Sequence, residues 1–85
     1  MERNTIGYRL YGWFWNPKTE EYDYHLVAPY KTEEEAEAVI KRKRITPNNN
    51  EYEVVEGYYD KHGFFEGSRV IMQKDDLGFR GRDEI

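Results

Sequence analysis

Between residues 8 and 15 the sequence reads YRLYGWFW, an aromatic block broken only by Arg9, Leu10 and Gly12. Aromatic side chains suit the pleated, half-buried surface of a β-strand, and the block predicts one. Asn16-Pro17-Lys18-Thr19-Glu20-Glu21 follows with turn chemistry, since proline fixes φ and asparagine caps a bend with its side chain. Tyr22 to Ala28 (YDYHLVA) then alternates in the manner of a second strand. Two strands joined by a short polar loop predict an antiparallel hairpin. Gly12, in the middle of the first strand, marks a bulge or a close contact across it.

After Pro29 the period changes. Thr32-Glu33-Glu34-Glu35 matches a capping box, in which the threonine hydroxyl and the Glu35 carboxylate satisfy free backbone amides. Ala36, Val39, Ile40 and the stem of Lys43 fall at i, i+3, i+4 and i+7, one narrow apolar stripe. The spacing predicts a helix from about Glu33 to Arg44, stopped by Pro47 and the asparagines at 48–50.

Glu51 to Glu56 (EYEVVE) predicts a third strand, and Asp60-Lys61-His62-Gly63 a turn. Phe64-Phe65 begins a return strand that takes in Arg69-Val70-Ile71-Met72, with Gly67-Ser68 interrupting it as a bulge or break. From Lys74 the chain is polar, with Leu77, Phe79 and Ile85 its apolar residues. That composition predicts a flexible tail over 74–85 after a single domain spanning 1–73. The element order is β-β-α-β-β. It predicts an α+β fold, a small mostly antiparallel sheet of three or four strands covered on one face by a single helix. The expected core is Leu10, Phe14, Leu26, Val39, Ile40, Val54 and Ile71, with Tyr8 and Tyr24 at its edge.

Composition narrows the function classes. A chain of 85 residues buries about 60–65% of its unfolded surface, so its core is thin. Eight Tyr, four Phe and two Trp compensate, because each ring buries on the order of 150–250 Å². Thirteen basic against 17 acidic residues leave a net charge of −4, which disfavours broad affinity for phosphate backbones or anionic lipid. Without cysteine there is no disulfide, thiolate chemistry or Cys-based metal site. No apolar run approaches the roughly 18–20 residues of a membrane span, and Met1-Glu2-Arg3-Asn4 leads into no apolar signal segment. These features predict a cytosolic protein with no membrane partner.

The chemistry-bearing feature is the first strand. One alternation gives Tyr8, Leu10, Gly12 and Phe14; the other gives Arg9, Tyr11, Trp13 and Trp15. Both are apolar, yet the chain supplies one helix to cover one face. Tyr11, Trp13 and Trp15, with Val27 and His25 from the second strand, are therefore the candidate partner-binding residues. Such a face closes on the chain itself, on a second copy in a homodimer, or on another protein.

Lys41-Arg42-Lys43-Arg44 suggests a nucleic-acid contact. Its place at the end of a helix that begins with three glutamates also complements the helix dipole, and successive residues point around the helix rather than forming one patch. Combined with stacking on Tyr11, Trp13 and Trp15, the run makes single-stranded nucleic-acid binding the alternative function. His62-Gly63-Phe64-Phe65 opens like an RNA-recognition motif, but Glu66 and Gly67 break the pattern.

His25 and His62 are isolated, Ser68 lacks an activating neighbour, and no metal-ligand spacing or phosphate-cradling glycine loop occurs. The expectation is a non-enzymatic protein without metal or cofactor. In size and composition the chain resembles the small accessory or inhibitor proteins carried by phages and mobile elements. That resemblance implies a host protein as target, including a nucleic-acid-handling one whose basic groove the glutamates would occupy.

Overall fold

The computed structural model describes residues 4–82. β1 (Thr5–Asn16) and β2 (Glu21–Tyr30) form the predicted hairpin and α1 (Glu33–Arg42) follows. β3 (Asn49–Tyr59), β4 (Phe65–Asp75) and β5 (Gly78–Arg80) come after it. The strands make one sheet in the order β2-β1-β3-β4-β5, with every neighbouring pair antiparallel. α1 packs on one face. The α+β class, the antiparallel sheet and the single covering helix are as expected, but the sheet has five strands, one more than the upper expectation.

The hairpin turn uses Asn16 as its side chain predicts. Its Oδ1 accepts from the Lys18 amide and its Nδ2 donates to Asp23, while Glu20 takes the left-handed conformation at φ 56°. Gly12 keeps β1 close to its neighbours. A Cβ there would lie 2.9 Å from the Phe14 ring and 3.1 Å from the Tyr52 ring, so the glycine marks the close contact its position suggested.

Thr32 caps α1, its hydroxyl accepting from the Glu35 amide at 3.2 Å. The helix stops at Arg42, two residues before the expected end, and Ile45 packs against the core instead. Ala36 and Ile40 are buried and meet Leu10, Tyr52, Val54, Ile71 and Met72. No helix is long and apolar enough to cross a membrane among the described residues.

Two bulges shape β4 against β3. Glu56 pairs with Arg69 but Gly57 with Gly67, leaving Ser68 as the extra residue, where the Gly67-Ser68 interruption was expected. Val54 pairs with Met72 but Val55 with Val70, leaving Ile71 extra. This second bulge lets Ile71 and Met72, adjacent in sequence, both enter the core.

The predicted tail is corrected by the structure. Lys74 and Asp75 end β4, Gly78 turns the chain at φ 119°, and β5 pairs back onto β4. Phe79 packs against the core, and Arg82 reaches Glu33 and Glu56 at 2.6 and 2.9 Å. A three-residue edge strand needs one apolar anchor, which is why its pattern is so faint in the sequence. Residues 83–85, the remainder of that expected tail, and residues 1–3 lie outside the described residues.

Candidate functional site

Leu10 is buried with α1, so alternation places its β1 neighbours Arg9, Tyr11, Trp13 and Trp15 on the other face of the sheet. Register then decides what joins them. The four-residue loop pairs Asn16 with Glu21, and from that pair Trp15 falls opposite Tyr22, Trp13 opposite Tyr24 and Tyr11 opposite Leu26. Cross-strand partners share a face. Tyr22, Tyr24 and Leu26 therefore stand on the open face, and His25 and Val27 on the helix side.

This corrects four assignments. Leu26 is 45% and Tyr24 44% exposed, so neither belongs to the core. Val27 packs against the core instead, as the extra residue of a register shift between Leu10 and Tyr11. His25 lies opposite Gly12 with its ring 6.0 Å from that of Phe14. Of the five candidate partner-binding residues, the structure brings together Tyr11, Trp13 and Trp15, and places Val27 and His25 behind the sheet.

The rings of the open face pack on one another. Tyr24 stacks on Tyr11 with centroids 4.7 Å apart and planes at 10°. Trp13 meets Tyr24 at 4.5 Å, and Trp15 meets Tyr22 edge-on at 5.2 Å. Stacked, tilted and edge-on pairs are favourable geometries for aromatic side chains. α1 lies on the other face of the sheet; here Trp15, Tyr22 and Tyr24 are exposed, Tyr11 and Trp13 are half-buried, and the Tyr22 hydroxyl donates to the Pro47 carbonyl at one end of the strip.

Beside the strip, β3 contributes two carboxylates. Glu51 lies opposite Trp13 and Glu53 opposite Tyr11. Glu53 is 8% exposed and accepts a 2.7 Å hydrogen bond from the Tyr24 hydroxyl. Burial first, and then that bond, hold the Tyr24 phenol well above its ordinary value. Burial also pushes the Glu51 carboxyl up, helped by Glu53 and Asp75 and opposed by Arg80. Arg80 forks onto Asp75 at 2.6 and 3.2 Å.

No protein-family model, curated protein or solved structure matches this chain.

The basic run sits elsewhere. Lys41 pairs with Glu37 at 2.8 Å and lies over the Phe79 ring, while Lys43 lies over Tyr52. Both belong to the helix side, and Arg42 and Arg44 are exposed there beside them. The sheet thus separates Lys41–Arg44 from Tyr11, Trp13 and Trp15. His25 and Asp23 approach to 4.0 Å with side chains 60% and 40% exposed. An open concavity of about 720 Å³ at the other end of β1 is lined by Ile6, Pro29, Tyr30 and Tyr59 among others, without either of them. Among the described residues no three acidic or histidine side chains gather as a metal site.

The sequence reading missed Tyr22, Tyr24, Leu26, Glu51 and Glu53 as members of the site. Counting pairs outward from the four-residue loop would have found the first three.

Proposed function

We propose that this chain is a non-enzymatic protein-interaction module that docks a partner protein on the open face of its sheet. The observation that carries this reading is the strip of Tyr11, Trp13 and Tyr24, packed together, and Trp15 with Tyr22, on the face opposite α1. Large rings held by their neighbours give contact area at little cost in side-chain entropy, the property that makes Trp and Tyr dominate binding hot spots. The size and acidic balance of the chain fit a cytosolic accessory or inhibitor protein acting on a host protein.

Nucleic acid is the weaker reading. Glu51 and Glu53 border the rings, where a phosphate backbone meets repulsion, and the basic run lies behind the sheet.

The test replaces Trp13 and Trp15 with Ser together. The variant should unfold cooperatively like the parent and lose the protein that the parent retains from an extract of the source cell, with or without nuclease. Loss of capture on nuclease treatment of the parent selects nucleic acid instead. Sedimentation of the purified parent as a dimer that the variant lacks identifies a second copy as the occupant. An unfolded variant, or one that captures as the parent does, ends the reading.

A further inference from the structure

The open face has two ends with different occupants for their rings. At one end Arg9 lies over the Phe65 ring at 4.7 Å and the Tyr59 ring at 5.4 Å, and its Nε donates to the Tyr59 hydroxyl at 3.2 Å. That is an internal guanidinium held by two aromatic rings. Among the described residues the other cations placed over rings, Lys41 and Lys43, sit on Phe79 and Tyr52, which are outside the strip.

At the strip end, carboxylates on β3 flank the rings from the neighbouring strand. Trp13 pairs across to Glu51, and Tyr11 to Glu53. These two glutamates share a face two residues apart on β3, with Asp75 opposite Glu51 on β4. Asp75 is engaged by Arg80. Glu53 is nearly buried with the Tyr24 hydroxyl donating to it at 2.7 Å, a neutral partner where buried carboxylates ordinarily carry a cation. The Glu51 carboxyl is raised by burial first and then by Glu53 and Asp75, against the pull of Arg80.

We infer that the partner protein presents an arginine to this face, its guanidinium stacked on the Trp13–Tyr24 rings and forked onto Glu51 and Glu53. Guanidinium is the group that suits both halves. It is planar and stacks on Trp and Tyr, and its donors match carboxylates two at a time, whereas an ammonium does neither as well. The inference rests on the protein-docking reading and names the chemistry that reading leaves open.

The probe is a short synthetic glycine–serine peptide interrupted by arginines, compared with versions carrying lysine or glutamine in their place. Binding is followed by tryptophan fluorescence and by amide shifts of the labelled protein. The arginine peptide should quench the tryptophans, shift the amides of Trp13, Tyr24, Glu51 and Glu53, and weaken as salt is raised. Glu51→Gln should weaken it by about tenfold or more, because it removes one member of a desolvated charge pair. Glu53→Gln, which keeps an acceptor for Tyr24, should do the same, and each variant's unfolding curve confirms that it is folded.

Equal binding of the arginine and lysine peptides, or unchanged affinity in both glutamine variants, overturns the inference. So does the absence of binding at millimolar peptide. If capture of the partner is still lost in the Trp13→Ser, Trp15→Ser variant in that case, the docking reading stands and the arginine is wrong. If capture is unchanged as well, both fall. A single-stranded oligonucleotide that shifts the same amides more strongly than the arginine peptide also overturns the inference, in favour of nucleic acid.

Discussion

The hydroxyl of Tyr24, on edge strand β2, donates a 2.7 Å hydrogen bond to Oε1 of Glu53 on β3. The bond spans the intervening strand, β1, and the Tyr24 ring lies stacked on Tyr11 as it crosses. One side chain thereby fixes the edge of the aromatic strip and partners a nearly buried carboxylate. Tyr24→Phe keeps the ring and removes the donor. It should cost about 1–2 kcal/mol, the usual penalty for leaving a buried acceptor short of a partner. Chemical denaturation of Tyr24→Phe, Glu53→Met, which removes the acceptor, and the double variant measures the coupling. A coupling near zero means that water serves Glu53 as well as Tyr24 does.

The hairpin, the capped helix and the turn at Asp60 were legible because each has a local cause. The Thr32 hydroxyl accepts from the Glu35 amide, the threonine half of the expected capping box, and Asp60 Oδ1 receives the amides of His62 and Phe64. The face of β2 was not legible from its alternation alone, because Tyr22, Tyr24 and Leu26 are as apolar as a core-facing set. Its orientation follows from the Asn16–Glu21 pairing across the loop, a non-local fact about register. The extra residue Val27 then changes the alternation within the strand, a choice made by packing against the core. Trp13 and Trp15 stand on the face opposite α1 because β1 alternates without interruption around the buried Leu10. β5 was missed because three residues and one phenylalanine make no periodic signal.

Ile40 is fully buried between α1 and the sheet. Ile40→Ala should destabilise by about 2–5 kcal/mol, because it leaves a cavity in a core with few aliphatic residues to collapse into it. The measurement is the urea midpoint at an unchanged m-value. A loss below that range would mean that Val39 and Ile45, which pack at the margin of the core, close over the gap.

Gly57 marks a close approach of β3 to β4. A Cβ there would stand 2.2 Å from the Glu66 carbonyl oxygen and 2.9 Å from Cα of Gly67. Both are backbone atoms, so relief requires moving a strand rather than turning a side chain. Gly57→Ala should cost about 3 kcal/mol and displace the amides on both sides of the Ser68 bulge. Gly67→Ala is the milder comparison, since its closest contact at 2.9 Å is a Val55 methyl. If the two variants prove equally stable, the bulge rather than the glycine contact sets the spacing of these strands.

Glu51 opposes the fold at neutral pH, and that opposition is measurable. Its folded-state value is raised, by burial first and then by Glu53 and Asp75, so the folded protein holds this proton more tightly than the unfolded chain does. The favourable contribution is fully present below the ordinary carboxylate value and is lost as pH rises through the raised value. Above that value the ionised Glu51 is a net penalty. Glu51→Gln removes the charge while keeping the shape, so it should be more stable than the parent at pH 7. The gain should shrink on acidification and vanish below the ordinary carboxylate value, where both side chains are neutral. Thermal unfolding of the two proteins across the acid range checks this, with the difference in stability expected to rise with pH and then level off. A variant less stable than the parent at pH 7 would show that Arg80 neutralises Glu51 already. A more stable variant that binds arginine peptide less well would show that Glu51 gives up stability for a partner's cation, and that trade would place function at Glu51 and not at its neighbours in the core.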